Sequence, residues 1–380
     1  MSIFRINNHV IGNKETFIIA EIGQNHQGDI EIAKKMITEA KRIGADCVKF
    51  QKSCLPEKFT KMALERTYSG SNSWGETYGK HKEHLEFSIE QYKELNAFAE
   101  KVGIVFTASA MDIQSLNDLY GMNVPVIKIG SGDANNIELL TKSAQSHTPL
   151  IISTGMQDEQ MVHRIVNIMK MNNKTNFCLL HCVSSYPTEP SDANLNILKR
   201  FRELFADVCL GYSGHEQGIA ISVAAVLLGA KVVERHFTLD KLQKGTDHML
   251  SLEPSEFNKL VSCIRHIETR EDVIAKNDKI ILSTITNLMG ESYIESVKLA
   301  LRPIECKQIL ECELPCRLKL GKSLVYRKTL KIGTKITEKE ICAKVSEPFG
   351  ISAEHIDEFI GRILCTDVLA DDILEEAHFN

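Results

Sequence analysis

Two histidines in this sequence each close a short apolar run. His215 ends VCLGYSGH, and His236 ends KVVERH 21 positions later. This separation fits one helix with its loops, so the two runs are predicted to be adjacent parallel strands with both imidazoles at the same end of a sheet. Two such imidazoles can share a divalent metal ion and leave open positions for substrate oxygens and water. The spacing favours a metal site, with acid–base histidines or ordinary polar contacts as the alternatives.

Polar residues close the other apolar runs as well. At or just beyond the ends of these runs lie Glu21, Lys49, Gln51, Ser109, Lys128, Ser131, Asp133, Ser153, Ser184, Tyr186, Ser213 and Glu234. Side chains alternate along a strand, so Lys49 and Gln51 share one face, and Glu234 lies on the same face as His236. Charged groups inside a barrel are costly unless they are paired or bind a ligand, so packing alone is a poor explanation for this concentration at one end.

Serine–glycine turns add a second signal. Ser131, Ser153 and Ser213 occur in the turns GSG, STG and YSG. Turn chemistry alone explains any one of them, but three such turns at strand ends are more typical of loops that bind phosphate or carboxylate. With Lys49 and Lys128 beside them, these turns predict a phosphorylated and carboxylated substrate next to the metal.

Two further groups have simpler explanations. His181 in CLLHC fits a hydrogen-bonded core histidine slightly better than a catalytic one. Cys306, Cys312 and Cys316 form no paired CxxC motif, so a zinc site is not expected. Most of the 11 cysteines are interpreted as small core residues in a reducing compartment.

The elements that must position these residues repeat along the chain. Each unit is a short apolar run, a polar or glycine-bearing turn and an amphipathic stretch, and the runs cover 17–23, 46–51, 104–109, 124–130, 149–155, 176–182, 208–214 and 231–237. Helical stretches such as 29–44, 89–103 and 216–230 separate them. Eight alternating units predict an α/β fold, a (β/α)8 TIM barrel with its site at the carboxyl ends of the strands. Residues 52–88 have no sustained period and are expected to form a loop over one end of the barrel.

Composition limits the classes of function. The 380 residues carry 25% charged side chains and a formal net charge of -5. No basic field indicates nucleic acid, no apolar run is long enough for a membrane span, and no signal-peptide pattern is present, so a cytoplasmic protein is expected. The strand–helix alternation stops after about residue 275. We therefore predict a barrel domain over 1–275, a linker over 276–315 and a small C-terminal domain over 316–380.

Several longer motifs resemble those of the N-acetylneuraminate (sialic acid) synthases. They are AEIGQNHQGD, GADCVKFQKS, KIGSGDANN, SSYPTEP, YSGHEQGIAISVAAVLLGAKVVERHFTLDK and KGTDHMLSLEP. The resemblance is closest to the animal-type branch of the family, through about residues 15–270. The later stretch LGKSLVYRKTLKIGTKIT resembles the small antifreeze-protein-like (SAF) domain that follows the barrel in this family.

This resemblance implies a reaction. Phosphoenolpyruvate condenses with N-acetylmannosamine 6-phosphate to give N-acetylneuraminate 9-phosphate and phosphate, with C–O cleavage of phosphoenolpyruvate and a divalent ion, Mn²⁺ or Mg²⁺, on His215 and His236. The resemblance assigns phosphoenolpyruvate to Lys49, Ser109, Lys128, Ser131, Ser153, Ser184 and Ser213. It assigns the sugar to Gln51, Tyr186, Glu234 and Asp247. Glu21 and Asp133 are the candidates for positioning a water molecule or moving its proton.

The resemblance also implies a domain-swapped homodimer, in which the C-terminal domain covers the barrel mouth of a second subunit. Lys322 lies near the position of a cationic residue that helps to hold the sugar in bacterial relatives. Two departures from the family pattern concern the orientation of this cap. The segment 270–300 is longer than the usual linker, and Arg317 stands where an Asn is common.

Three functions remain open from the sequence. The first is the synthase, and the second is a related enzyme that uses the unphosphorylated sugar or makes another 2-keto sugar acid. The third is a catalytically silent sugar-binding protein. The SSYP and DHMLSLEP segments favour the first over the second, and the competent residues at the metal and phosphoenolpyruvate positions argue against the third. No dedicated pocket for a sugar phosphate is evident, and Lys61, Arg66 and Lys80 in the long loop are the only suggestions.

Overall fold

The protein is built around a closed barrel of parallel strands. The structure, a computed structural model, describes residues 2–270, 274–275 and 277–379. An antiparallel hairpin, β1 (Phe4–Ile6) and β2 (His9–Ile11), precedes the barrel. The barrel strands are β3 (Phe17–Gly23), β4 (Cys47–Lys52), β5 (Val105–Ala110), β6 (Ile127–Ile129), β7 (Leu150–Ser153), β8 (Phe177–Cys182), β9 (Cys209–Gly214) and β10 (Val232–His236). They follow one another around the barrel in chain order, and β10 pairs with β3, which confirms the predicted TIM barrel.

Helices fill the connections between these strands. They are α1 (Ile30–Arg42), α2 (Leu55–Lys58), α3 (Lys61–Glu65), α4 (Tyr78–Leu85), α5 (Ile89–Val102), α6 (Ile113–Gly121), α7 (Ile137–Ala144), α8 (Glu159–Met171), α9 (Ile197–Leu204), α10 (Ala220–Leu227) and α11 (Pro254–Glu268). Local sequence sets their ends, as in α5, where Ser88 and Gln91 form a capping box and Gly103 ends the helix at a φ of 81°. Across the described part of the chain, no helix is both long and apolar enough to span a membrane.

Side-chain alternation divides the core into two regions. Val48, Phe50 and Val233 point outward into the layer between the strands and the helices. Phe17 and Ile19 point inward, where they join the side chains of the N-terminal hairpin β1–β2 in a separate cluster. The hairpin therefore closes the amino end of the barrel, and the polar positions further along each strand remain at the carboxyl end.

The segment predicted to be a linker contains packed helices. These are α12 (Asp278–Met289) and α13 (Ile294–Ala300), followed by α14 (Leu314–Leu320). Ile281, Ile285 and Val297 belong to the main core cluster, and α12 and α13 both contact α10. Every residue of α10 is buried, because the barrel lies on one side of this helix and the two later helices lie on the other. Part of the unusually long segment is thus used to cover an apolar helix.

The C-terminal domain has a small core of its own. It contains the antiparallel pair β11 (Ser323–Tyr326) and β12 (Ile341–Lys344), with Leu324 and Phe359 among its buried residues. In this chain the domain packs on the carboxyl end of its own barrel, where the Asn135 amide donates to the Lys322 carbonyl at 3.0 Å. Arg317, which stands where an Asn is common in the related family, pairs with Glu354 at 3.1 Å. The expected cap from a second subunit therefore differs from the arrangement in the single chain, and the homodimer stays a prediction.

Residues 52–88 connect the barrel to this cap. The predicted loop holds the three short helices α2, α3 and α4. Phe59 and Tyr78 of this segment pack together with Val345 of the C-terminal domain. The segment lies over the carboxyl end of the barrel, as expected, and forms one wall of the space between the barrel and the cap.

Candidate active site at the carboxyl end of the barrel

One cavity of about 340 Å³ brings together nearly all the predicted site residues. It lies between the strand ends, the segment 52–88 and the C-terminal domain. Its lining includes Glu21, Lys49, Gln51, Ser109, Lys128, Ser131, Asp133, Ser153, Tyr186, Ser213, His215, Glu234, His236, Asp247 and Lys322. Ser184 is the exception, because its side chain is fully buried outside the cavity lining. Residues from all eight barrel strands or their following loops therefore meet at one place.

The floor of the cavity is a layer of charged side chains on the strands. Lys49 lies level with Glu21 in the strand register, and Ser109 lies level with Lys128. The Lys49 ammonium is 2.6 Å from the Glu21 carboxylate and 3.6 Å from that of Glu234. Lys128 is also 3.6 Å from Glu234. Two lysines thus balance two glutamates in the strand layer, so an anion that enters needs further positive charge.

Serine hydroxyls surround the two lysines. The Lys49 ammonium donates to Ser109 at 3.0 Å, and the Lys128 ammonium donates to Ser153 at 2.7 Å. The Ser131 hydroxyl accepts from the Gly155 backbone N–H at 3.1 Å. A Cβ on Gly155 would lie 2.7 Å from this hydroxyl, so only glycine fits at that turn. Ammonium, hydroxyl and amide groups on one surface are the donors that phosphate and carboxylate groups require.

The two carboxylates of the layer have different environments. Burial raises the pKa of Glu21, and the neighbouring Lys49 ammonium offsets this only in part. Burial acts in the same direction on Glu234, but the ammonium groups of Lys128 and Lys49, with the two histidines, hold its pKa below the ordinary value. Glu21 is therefore the carboxylate better suited to accept and return a proton.

The two histidines face each other above this layer. Their ring centroids are 5.5 Å apart, and both side chains are buried. His215 Nδ1 lies 2.8 Å from the Val183 carbonyl oxygen, a contact that assigns the proton to Nδ1 and leaves Nε2 with a free lone pair. His236 Nδ1 is buried and has no hydrogen-bond partner among the described residues. Burial lowers the pKa of His236 to about 4, so its imidazole is neutral at neutral pH.

Imidazole nitrogens with free lone pairs suit a divalent metal ion. Burial lowers the pKa of His215, but Cys182 and the Val183 carbonyl outweigh it and raise the pKa above the ordinary value, so an ion bound there would displace a proton from His215. The pair His215 and His236 therefore fits the predicted metal. Within the part of the chain that the structure describes, no group of three or more His, Cys, Asp or Glu side chains is spaced to hold an ion. The proposed metal site therefore rests on the two imidazoles.

Four predicted residues form the upper wall of the cavity. Asp133, in the short turn Ser131–Asp133, pairs with Lys322 of the C-terminal domain at 2.6 Å, and both side chains are buried. The Tyr186 ring lies over His215 with 4.2 Å between centroids. Asp247 accepts a hydrogen bond from the Thr246 hydroxyl at 2.8 Å.

Several residues at the cavity were not identified from the sequence. Cys182, at the inward-facing end of β8, lies 3.9 Å from His215 Nδ1, whereas His181 points outward and contacts the Ala193 carbonyl oxygen at 2.8 Å. Cys178 and Leu180 fill the barrel interior. Because side chains alternate along FCLLHC, Cys182 lies on the same inward face and His181 on the outward one. Lys58, Lys82 and Lys319 also line the cavity, and no spacing pattern in the sequence connects them.

Two residues of the predicted linker support the site from behind. The Glu313 carboxylate is fully buried and accepts from the backbone N–H groups of Met156 at 2.7 Å and Ser184 at 2.8 Å. The Lys307 ammonium donates to the Cys182 carbonyl at 3.1 Å. These contacts fix the loops that follow β7 and β8. Nothing in the sequence around either residue signals this role.

A closed eight-stranded barrel with paired charges, serine turns and two histidines at its carboxyl end defines a TIM-barrel enzyme. The NeuB family model matches residues 36–302, and the SAF domain model matches residues 321–380. The chain belongs to the NeuB family and carries a C-terminal SAF domain.

Relatives of known name cover almost the whole chain. The N-acetylneuraminate-9-phosphate synthase of Drosophila melanogaster is 50% identical over 96% of this chain and 97% of its own length. The synthase of the same name from Homo sapiens is 47% identical over 96% and 93%. Among solved structures, the spore coat polysaccharide biosynthesis protein spsE of Bacillus subtilis matches with a TM-score of 0.75 at 24% identity, over 100% of this chain and 99% of that one. This last likeness shows the fold alone.

Proposed function

We propose that the protein condenses phosphoenolpyruvate with N-acetylmannosamine 6-phosphate to give N-acetylneuraminate 9-phosphate and phosphate. The names of the animal relatives support this reaction, and they are similar to this chain along nearly its full length. The observation that carries the proposal is the single cavity in which two lysines with serine turns lie beside two metal-competent histidines. These groups suit an enol phosphate and an aldehyde, respectively.

Phosphoenolpyruvate would lie on the strand layer. Lys128 and Lys49, with Ser109, Ser131 and Ser153, offer donors to its phosphate and carboxylate groups. Because Glu21 and Glu234 already balance the two lysines, the negative charge of the substrate calls for a further cation nearby. The histidine pair lies at the same end of the barrel, which agrees with a divalent ion there.

His215 and His236 would hold Mn²⁺ or Mg²⁺. When bound, such an ion supplies Lewis acidity to the aldehyde oxygen of the open-chain sugar. The chain itself orients the reactants, since Tyr186 and Asp247 flank the histidines on the side where the sugar would lie. Gln51 donates to Glu21 at 2.9 Å, which links the sugar side of the cavity to the proposed acid–base group.

The bonds change in a balanced sequence. C3 of phosphoenolpyruvate attacks C1 of the sugar, and the aldehyde oxygen takes a proton and becomes a hydroxyl. Water adds to C2, and Glu21 is proposed to accept its proton. The C2–O bond to phosphate then breaks while the new C2 hydroxyl gives its proton to the departing phosphate, which leaves a ketone at C2 and free phosphate. The raised pKa of Glu21 supports its role, whereas the pairing of Asp133 with Lys322 favours a positioning role for that carboxylate.

We also propose that the active form is a homodimer with exchanged caps. In the single chain the cap sits on its own barrel, and an exchange between two identical chains would preserve the same contacts. Light scattering behind size-exclusion chromatography tests the dimer. A mass of 42.7 kDa at working concentration would contradict it.

The reaction is tested by phosphate release from phosphoenolpyruvate with the full-length chain and Mn²⁺. We expect release with N-acetylmannosamine 6-phosphate and none with a five-carbon aldose phosphate. Release without any sugar, or with the five-carbon sugar alone, would contradict the proposal. A variant His236→Ala should lose release, and His163→Ala, an exposed histidine on α8, serves as its matched control.

A further inference from the structure

Three lysines at the outer part of the cavity have no assigned role. Lys58 ends α2, Lys82 lies in α4 and Lys319 lies in α14, so they come from three separate helices. All three line the cavity above the strand layer. Among the described residues, none of the three forms an ion pair. Their convergence therefore does not result from ordinary surface pairing.

The surroundings of Lys58 are unfavourable for a positive charge. Its side chain is only 6% exposed, and its ammonium contacts the Met111 sulfur at 2.8 Å. Burial, together with the neighbouring ammonium groups of Lys322 and Lys82, lowers the pKa of Lys58 to about 7, and the carboxylates of Asp133 and Glu86 offset this only in part. A buried cation beside other cations is unfavourable unless an anion binds there.

Two neighbouring tyrosines locate the other two lysines: the Lys319 ammonium lies 6.0 Å from the centroid of the Tyr68 ring, which is 5.2 Å from that of Tyr78. The Lys82 ammonium lies 5.4 Å from the centroid of the Tyr78 ring. Burial acts to raise the pKa of the Tyr78 hydroxyl, but the charges of Lys82, Lys319 and Arg66 together hold it below the ordinary value. A positive field therefore reaches this wall of the cavity from both α4 and α14.

The charges of the outer cavity match one ligand chemistry. Lys58, Lys82, Lys319 and Lys322 stand against the two carboxylates Asp133 and Asp247, which leaves one positive charge when Lys58 is neutral and two when an anion keeps it protonated. A phosphate monoester carries about −1.5 to −2 at neutral pH. The strand layer below is already balanced by its own two glutamates, so the surplus belongs to the outer cavity alone.

We propose that Lys58, Lys82 and Lys319 form the subsite that holds the 6-phosphate of the sugar substrate. This inference rests on the proposed function, and it names the part of the site that selects the phosphorylated sugar. The aldehyde end of the sugar points to the histidines, and the phosphate at the other end of its carbon chain reaches the lysines between the segment 52–88 and the cap.

The residues suggested from the sequence lie elsewhere. Lys61 is exposed and pairs with Glu65, and Lys80 pairs with Glu83 at 3.2 Å. Arg66 pairs with Glu347 at 3.0 Å across to the C-terminal domain. None of the three lines the cavity. Lys80 lies two positions before Lys82 on α4 but outside the cavity, so it is a suitable control.

The test compares phosphate release with N-acetylmannosamine 6-phosphate and with unphosphorylated N-acetylmannosamine, using the full-length chain, phosphoenolpyruvate and Mn²⁺. In Lys58→Met, Lys82→Met and Lys319→Met we expect the KM for the phosphorylated sugar to rise about 10- to 100-fold, because each loses a charge-assisted contact. The efficiency with the unphosphorylated sugar and the KM for phosphoenolpyruvate should stay within about twofold. Lys80→Met should match the unmodified protein with both sugars.

Each result separates the subsite from the reaction. Equal losses with both sugars, or no loss with the phosphorylated sugar, would overturn the subsite while the condensation stands. A strong preference of the unmodified protein for the unphosphorylated sugar would do the same. No release with either sugar would overturn the proposed function itself. Lys319→Met changes a half-buried side chain outside the core clusters, so this variant keeps the test valid if Lys58→Met fails to fold.

Discussion

A buried ion pair connects the elements that carry the two histidines. Glu216 follows His215, and Arg235 lies between Glu234 and His236. Their side chains are each 1% exposed, and their closest atoms are 3.0 Å apart. Arg235 also donates to the carbonyls of Glu216 and Gly218, at 2.6 and 2.7 Å. This network fixes the loop after β9 against β10, so it should determine the spacing of the imidazoles.

We predict that Arg235→Met strongly destabilises the protein. The substitution leaves the Glu216 carboxylate buried without its cation, and breaking a pair of this kind costs about 3–5 kcal/mol. With a urea dependence of roughly 3 kcal/mol per molar, the unfolding midpoint should fall by about 1–2 M. The affinity for Mn²⁺ should fall about 10- to 100-fold, as when other supporting contacts of metal-binding histidines are lost.

Urea unfolding followed by circular dichroism provides the stability, and calorimetric titration with Mn²⁺ provides the affinity. The double variant Arg235→Met/Glu216→Met should recover much of the lost stability, because no charge is then left buried alone. Lys170→Met breaks the exposed pair with Asp207 and should cost less than about 1 kcal/mol. A loss below about 1 kcal/mol in Arg235→Met, or additive losses in the double variant, would refute this reasoning.

Three further predictions follow from the site. Since burial lowers the pKa of Lys58 to about 7 from an ordinary 10.5, the protonated side chain costs the folded state increasingly as the pH falls from about 10.5 to 7, and by a constant amount below 7. Lys58→Met should therefore gain urea resistance over the unmodified protein between pH 9 and pH 7 and keep that gain at pH 6. A constant difference between pH 6 and pH 9 would contradict this. Glu313→Gln should lower stability by about 2 kcal/mol, because its carboxylate accepts three backbone N–H groups, and kinetics should show reduced efficiency with phosphoenolpyruvate. Exposed Glu305→Gln is the control, and equal behaviour of the two variants would count against the supporting role. His215→Ala should abolish Mn²⁺ binding in titration and Mn²⁺-dependent phosphate release, whereas unchanged turnover after exhaustive chelation would exclude a metal role for His215.

Much of the barrel could be predicted because its signals are local. Each strand is a short apolar run, and alternation alone places Lys49 with Gln51 and Glu234 with His236 on the inward face. The N-terminal hairpin β1–β2 was not anticipated, since two strands of three residues are too short to show a period. Its role as a plug depends on the interior of the finished barrel.

The supporting residues could not be predicted, because their partners are distant in the chain. Glu313 holds a backbone N–H group 157 residues away, and only the packing of the segment after α13 brings them together. The same reason applies to Lys58, Lys82 and Lys319, which share a cavity but no spacing. The helix α10 did carry a signal, because an all-apolar helix predicts a cover on both sides, and α12 and α13 supply one of them.

The most direct test of the account follows the oxygen that bridges C2 and phosphorus in phosphoenolpyruvate. The full-length chain is incubated with Mn²⁺, N-acetylmannosamine 6-phosphate and phosphoenolpyruvate labelled with ¹⁸O at that position, and both products are examined by mass spectrometry. The proposed reaction predicts N-acetylneuraminate 9-phosphate without label and phosphate that carries the label, because water supplies the C2 oxygen and the C–O bond breaks. Label retained in the sugar acid, or phosphate released without a new carbon–carbon bond, would contradict it.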